Sequence, residues 1–127
     1  MNTDEHGLNS ITEKVIGCAY RVANGLGPGF LEKVYENALA HELKKTGVAA
    51  EQQRRVMILY DGVVVGDYVA DLLVEEVVLV ELKAAKALDE VHLAQCLNYL
   101  RGASLRIGLL INFGTARIEV KRVVNGY

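Results

Sequence analysis

Little in this sequence of 127 residues is typical of a secreted or a membrane protein. Its two cysteines, Cys18 and Cys96, fall on separate predicted helices and have no partners at zinc-ligand spacing. Each is therefore expected to be a small buried thiol rather than half of a disulfide. No window approaches the roughly 18–20 consecutive apolar residues of a membrane span, and the N-terminus lacks the basic and apolar regions of a signal peptide. We expect a cytoplasmic protein that does not associate with membranes.

The sequence also lacks an excess of positive charge. Its formal net charge is −2, so binding to phosphates would depend on a local basic patch and not on the charge of the whole molecule. There is no internal repeat, low-complexity tract or linker, and a chain of 127 residues suits one compact core. We predict a single domain over residues 1–127.

Two helices are predicted in the first part of the chain. The pattern SITE at residues 10–13 is a capping box, which is expected to begin the first helix. The glycine-rich stretch at residues 25–29 is expected to end it. The second helix is expected from about Phe30 to Thr46, with Phe30, Val34, Ala38 and Leu39 on the side that faces the core.

After residue 47 the apolar period changes to two, which predicts strands. Asp61-Gly62 is a strong hairpin signal between the first two strands, and Glu75-Glu76 marks a turn before the third. Asp89 is expected to cap a third helix over about residues 90–101, and two more strands follow. The order is therefore ααβββαββ, which predicts an α/β fold with a mixed central sheet of about five strands flanked by helices.

The third predicted strand, VVLVELKA at residues 77–84, carries an acid and a base at a position that otherwise looks buried. Glu81 and Lys83 are two residues apart and so point to the same face of the strand. Asp71, near the end of the preceding strand, completes a pattern of two carboxylates and a lysine. Clustered carboxylates suit Mg²⁺ or Mn²⁺, and a nearby lysine can act on a water or on a phosphate. The other interpretation is an exposed Asp and a surface Glu–Lys pair.

The length of the turn between these two strands decides whether the carboxylates meet. A two-residue turn at Glu75-Glu76 would place Asp71 and Glu81 on opposite faces, because a slip of one residue turns every side chain over. A three-residue turn over residues 75–77 pairs Val74 with Val78 and sets Asp71 against Glu81. The metal-site hypothesis requires the second arrangement, or a bulge before Asp71.

Two predicted helices carry further candidate side chains at helical spacing. Glu32 and Glu36 share one face of the second helix, with Tyr35 beside them. On the third helix, Gln95 and Tyr99 are four residues apart and His92 lies one turn earlier. Most have an ordinary alternative: a solvated face for the glutamates and Gln95, a cap or a surface position for His92, and packing for Tyr99.

The chain resembles the GxxExxY proteins, whose signature matches GFLEKVY at residues 29–35. The segments LGPGFLEKVYENAL, DLLVEEVVLVELKA, HLAQCLNYL and GLLINFG are also similar to segments of that family, in the same order. The family is placed in the PD-(D/E)xK nuclease-like superfamily, so the resemblance implies a restriction-endonuclease-like core. It also implies that Asp71 and Glu81 bind metal and that Lys83 is the catalytic lysine.

The resemblance further implies a helical acid, Glu32 or Glu36, and a Q-x3-Y element formed by Gln95 and Tyr99. The hypothesis is then a magnesium- or manganese-dependent nuclease acting on DNA or RNA, with the backbone carbonyl of Leu82 as a third metal ligand. The alternatives are a non-catalytic module that binds nucleic acid or protein, and a subunit that functions as a homodimer. The candidate phosphate contacts, each more often simple surface charge, are Arg54, Arg55, Lys86 and Arg101.

Overall fold

The computed structural model describes residues 5–126, which form three helices and five strands. In chain order these are α1 (Glu5–Leu26), α2 (Glu32–Lys45), β1 (Ala50–Tyr60), β2 (Val63–Val74), β3 (Val78–Lys83), α3 (Glu90–Ala103), β4 (Ile107–Asn112) and β5 (Glu119–Val124). The five strands form one sheet in the order β1-β2-β3-β4-β5. β3 and β4 are parallel and α3 connects them, while the other neighbours are antiparallel. The predicted fold class and element order are confirmed.

Helices cover both faces of the sheet and bury two separate apolar cores. α1 and α2 lie on one face and form the major core with alternate residues of the central strands. α3 lies on the other face and forms the smaller minor core. From the sheet, Leu72, Val80, Leu82 and Leu109 belong to the major core, and Ala70, Leu79 and Val123 belong to the minor core. This two-sided burial explains the unbroken apolar runs in β3 and β4.

The two N-terminal helices differ in detail from the prediction. The capping-box pattern at Ser10 does not begin a helix, because α1 is already helical at Glu5. Phe30 is 46% exposed and Val34 is 38% exposed, so the prediction that they face the core was wrong. Ala38 and Leu39 pack against the core as predicted, and Leu39 is buried together with Tyr35 and Leu43. These three buried residues are four apart and lie along one stripe, which Phe30 precedes and from which Val34 is offset.

The turn between β1 and β2 and the turn between β2 and β3 both contain residues with positive φ. Asp61 and Gly62 have φ values of 54° and 78°, and Tyr60 pairs with Val63 across the two-residue turn. The turn between β2 and β3 contains the three residues 75–77, with Glu75 and Glu76 at φ 53° and 62°. Val74 pairs with Val78, which confirms the register that the metal-site hypothesis requires.

Both cysteines are buried free thiols, in agreement with the prediction. Cys18 lies in the major core and Cys96 in the minor core, on opposite faces of the sheet. Among residues 5–126, no helix combines the length and the apolar character that a bilayer crossing requires.

Candidate active site

Asp71 and Glu81 meet at the edge of the β2–β3 ladder. The paired residues of this ladder end at Leu72 and Val80, and the same register continued by one residue places Asp71 opposite Glu81. The Asp71 carboxylate also accepts a hydrogen bond from the backbone N–H of Leu82, with 2.8 Å between Oδ2 and N. Two carboxylates are therefore held side by side at the point where the two strands begin to separate.

The environment of Glu81 strongly favours its neutral form. Burial, the negative charge of Asp71 and a hydrogen bond to that carboxyl raise the pKa of Glu81 to about 9, although Lys83 acts in the opposite direction. Its Oε1 atom is buried and has no hydrogen-bond partner among the described residues. An unpaired buried oxygen beside a second carboxylate is costly unless something neutralises it.

These two carboxyl groups fit a divalent cation. Both offer hard oxygen ligands, which Mg²⁺ and Mn²⁺ prefer, and a cation would relieve the repulsion and satisfy the unpaired Oε1 of Glu81. Within residues 5–126 no group of three or more His, Cys, Asp or Glu side chains is close enough to hold a metal. A cation here would therefore have two protein carboxylates and would rely on backbone oxygens or water for its remaining ligands.

A polar cleft opens beside Glu81, between the sheet and α3. Lys83, Gln95 and Tyr99 line the same cleft as Glu81. Gln95 donates a hydrogen bond from Nε2 to the hydroxyl of Tyr99 over 2.9 Å, so the two helical side chains form a unit. The structure thus brings the lysine and both members of the Q-x3-Y element together, while their roles stay predictions.

His92 also lines this cleft, but the structure gives it a capping role. The Asp89 side chain accepts from the backbone N–H of His92 over 3.0 Å, and His92 Nδ1 accepts from the Asp89 N–H over 3.4 Å. This reciprocal pair begins α3 at the predicted residue.

The candidate side chains on α2 occupy three different environments. Glu32 is exposed and lines a separate shallow groove with Ala84 and Gly114, next to the residue that follows Lys83. Glu36 is 3% exposed and bonds to side chains of β1. Tyr35 is fully buried and stacks on Phe113, with 4.6 Å between ring centroids.

Tyr68 is a cleft residue that the sequence reasoning missed. Its ring stacks on Tyr99 with 3.8 Å between centroids, and its hydroxyl is buried without a hydrogen-bond partner in the described part of the chain. Burial and the nearby Glu81 raise the pKa of this phenol, so the hydroxyl stays a neutral donor. Nothing in the alternating pattern of β2 distinguishes this tyrosine from a packing residue.

Cys96, the thiol that lines the cleft, is unsuited to nucleophilic chemistry. Burial and the neighbouring Glu81 raise its pKa to about 12. Only the thiolate is a strong nucleophile, so at neutral pH this side chain acts as a small apolar group.

Asn112 is a second residue that the sequence reasoning missed. It is fully buried at the end of β4, and it fixes the loop that follows Lys83. Its Oδ1 accepts from the N–H groups of Ala85 and Gly114, at 2.9 and 3.0 Å. Its Nδ2 donates to the carbonyl of Ala85 and to Glu119, both at 3.0 Å.

We predict that Asn112→Ala destabilises the protein by about 2–3 kcal/mol, because it leaves several buried polar groups without partners. The melting temperature should fall by roughly 10 °C. A matched control is Asn125→Ala, since among residues 5–126 the side chain of Asn125 makes one hydrogen bond, from Nδ2 to the Leu105 carbonyl. Equal losses in the two variants, measured by denaturant unfolding, would contradict the special role of Asn112.

Two of the four candidate phosphate contacts are already engaged by acidic side chains. Arg54 forms ion pairs with Glu51 and Glu76, and Arg55 pairs with Asp67. Lys86, in the loop after β3, and Arg101, in the last turn of α3, are exposed.

Solved structures with a similar fold include the following two. The crystal structure of SSO0001 superposes with a TM-score of 0.57 and 21% sequence identity over 76% of this chain. An alkaline exonuclease from Laribacter hongkongensis superposes with a TM-score of 0.55 and 12% identity over 99% of this chain. The chain spans about half of SSO0001 (51%) and 73% of the exonuclease chain.

The sequence comparisons lead to a family assignment. None of the functionally curated proteins compared with the chain matches it. The family model of the PD-(D/E)XK nuclease superfamily matches residues 9–123, which include both carboxylates, the lysine and the cleft face of α3. The chain belongs to the PD-(D/E)XK nuclease superfamily.

Proposed function

We propose that this protein is a divalent-metal-dependent nuclease that hydrolyses phosphodiester bonds in DNA or RNA. The observation that carries the proposal is the meeting of Asp71 and Glu81 beside a cleft that also contains Lys83. Membership in a nuclease superfamily supports a nuclease-like function, and the alkaline exonuclease has a similar fold.

Asp71, Glu81 and the backbone carbonyl of Leu82 would hold the metal, with Mg²⁺ or Mn²⁺ as the ion. When bound, such an ion supplies a Lewis acid that activates water and offsets negative charge on a phosphate. Binding requires ionised ligands, so it would be accompanied by loss of the proton from Glu81.

The cleft side chains would act on the water and the phosphate. Lys83 supplies a cation that can orient the attacking water, assist its deprotonation or offset charge on the phosphate. Gln95, held by Tyr99, can orient Lys83 or a phosphate oxygen. Glu32 lies beside the residue after Lys83 and would contribute through a bridging water.

We also propose that the chain belongs with the GxxExxY proteins within this superfamily. Gly29 has φ of 113°, which favours glycine. The Tyr35 hydroxyl donates to the carbonyl of Gly27 over 2.6 Å and accepts from the N–H of Phe30 over 3.1 Å. The glycine and the tyrosine of the signature thus have structural reasons to occur together, because both fix the loop before α2.

A homodimer stays a prediction, and one feature would suit it. The outer half of the β1–β2 hairpin exposes apolar side chains on an edge of the sheet. They include Met57, Leu59, Tyr60, Val63, Val64 and Val65.

A cleavage assay tests the proposal. The protein would be incubated with labelled single- and double-stranded DNA and RNA, in linear and circular forms, with millimolar Mg²⁺ or Mn²⁺ or with EDTA. We expect cleavage of at least one substrate that requires the metal, and attack on circles would identify an endonuclease. Tight binding to nucleic acid without cleavage under every metal condition would favour the non-catalytic binding module instead.

A further inference from the structure

The regular alternation of side chains in β2 is interrupted at Asp71. Residues two apart in a strand normally face the same side of the sheet. Ala70 nevertheless packs in the minor core against α3, as Tyr68 does, whereas Leu72 packs in the major core against α1 and α2. The alternation of faces is therefore shifted by one residue between the outer half of β2, which ends at Ala70, and the inner half, which contains Leu72. If the alternation of the outer half continued unchanged past Ala70, Asp71 would point away from the cleft that contains Lys83.

The change of phase coincides with an unusual residue on the neighbouring strand. The β1–β2 ladder pairs Gln52 with Leu72 and Arg54 with Ala70, and omits the pair between Gln53 and Asp71. Gln53 has φ of 53° inside a strand. This left-handed conformation is unfavourable for an ordinary L-residue, so another interaction must stabilise it.

That interaction comes from α2. Gln52 and Gln53 are consecutive, and a regular strand would send their side chains to opposite faces. Both instead donate from Nε2 to the Glu36 carboxylate over 2.6 Å, Gln52 to Oε2 and Gln53 to Oε1. Glu36 is almost fully buried, and Lys33 supplies the opposite charge from 3.0 Å. A buried carboxylate with three donors makes strong charge-assisted hydrogen bonds.

We propose that Glu36 and Gln53 are positioning residues for Asp71. The Glu36 carboxylate holds Gln53 in the left-handed conformation, which changes the phase of the ladder and turns the Asp71 carboxylate toward Glu81 and Lys83. Glu36 thus acts from the opposite face of the sheet, through β1, and not as a ligand of the metal. The inference rests on the proposed function only in treating Asp71 as a residue of the active site.

The Leu82 amide offers a direct measurement of the Asp71 orientation, because this N–H donates to the Asp71 carboxylate over 2.8 Å. Its proton chemical shift and hydrogen-exchange rate can be measured by NMR without metal or substrate. Asp71→Ala provides the reference for the broken bond. A failure of the nuclease proposal would leave this measurement unaffected, so the two proposals are tested separately.

Substitutions at Gln53 separate the backbone conformation from the side chain. Valine resists positive φ, so Gln53→Val should shift the Leu82 amide toward its position in Asp71→Ala and accelerate its exchange by about tenfold or more. Gln53→Gly loses the same side chain but accepts positive φ freely, so it should keep the wild-type Leu82 signal. Gln52→Ala is the matched control, because it removes a bond to Glu36 at a residue with ordinary φ, and it should also keep that signal.

A rescue experiment tests the role of Glu36. Glu36→Ala should lose the Leu82 signal, and the double variant Glu36→Ala with Gln53→Gly should recover it, because glycine does not need the carboxylate to adopt this conformation. If Gln53→Val does not fold, Gln53→Ala replaces it and should show faster Leu82 exchange than Gln53→Gly. An unchanged Leu82 amide in Gln53→Val, equal exchange in the alanine and glycine variants, or no recovery in the double variant would overturn the proposal.

Discussion

Lys83→Met is expected to reduce the rate of phosphodiester hydrolysis by a factor on the order of 10²–10⁴, the range found when a side chain that handles the proton or the developing charge is removed. Methionine has similar length and fills the same space without the charge. Lys83 lines the cleft next to Glu81, where no second lysine is present among the described lining residues. The rate should be measured under single-turnover conditions, so that product release does not mask the chemical step.

Two controls separate catalysis from indirect effects. Lys83 lowers the pKa of Glu81, so its loss also changes the metal affinity of the site, and the comparison must be made at saturating metal. Lys14→Met removes an exposed lysine from α1 and should leave the rate unchanged. Retention of more than about a tenth of the wild-type rate by Lys83→Met would show that this lysine is not a catalytic group.

Glu81→Gln is expected to change how the stability of the metal-free protein depends on pH. The folded pKa of Glu81 is about 9, above the ordinary value of 4.5, so the folded state binds the proton more tightly than the unfolded state. Below the pKa of Glu81 in the unfolded state this difference has no effect on stability. Between the unfolded and the folded pKa, the free energy of unfolding of the wild type falls by up to about 1.4 kcal/mol per pH unit. Glutamine does not titrate and avoids this loss. As the pH rises from 5 to 8, the free energy of unfolding of the variant should therefore increase by up to about 4 kcal/mol relative to that of the wild type.

Denaturant unfolding in EDTA at several pH values measures this difference, and Glu90→Gln, at an exposed position in α3, is a control that should follow the wild type. Added Mg²⁺ or Mn²⁺ should stabilise the wild type more as the pH rises, because the ligand must lose its proton. The metal should not stabilise Glu81→Gln. A constant difference between wild type and Glu81→Gln across this pH range would mean that the buried carboxyl is not protonated in the folded state.

Much of the fold follows from local patterns in the sequence. The change from helical to strand periodicity, the Asp61-Gly62 turn and the Asp89 cap all act within a few residues, so the order of elements was predictable. The sequence left the register of β2 and β3 open between a two-residue turn and a three-residue turn or a bulge before Asp71. The positive φ of Glu75 and Glu76 is compatible with either turn length, because a two-residue turn also requires it. Local propensity does not decide that choice, because the pairing of the buried strands stabilises the unfavourable turn.

The supporting residues of the site were less predictable because their roles depend on distant contacts. Asn112 is distinguished by its bonds to Ala85 and Glu119, which lie on different segments. Gln53 looks like any polar residue of an edge strand until its bond to Glu36 is known. Phe30 was assigned to the core on apolar character alone, although the chain enters α2 after it. The amino-acid composition and the spacing of apolar residues along the chain do not predict such long-range contacts.

The turn at residues 75–77 is expected to limit which insertions and deletions this protein tolerates. An exposed surface turn is ordinarily where a chain accepts changes of length most easily. Here the gain or loss of one residue would turn β3 over and carry Glu81 and Lys83 to the opposite face of the sheet. Glycine or asparagine should readily replace Glu75 and Glu76, whose φ is positive. In functional relatives this turn should therefore vary freely in residue type while its length stays fixed.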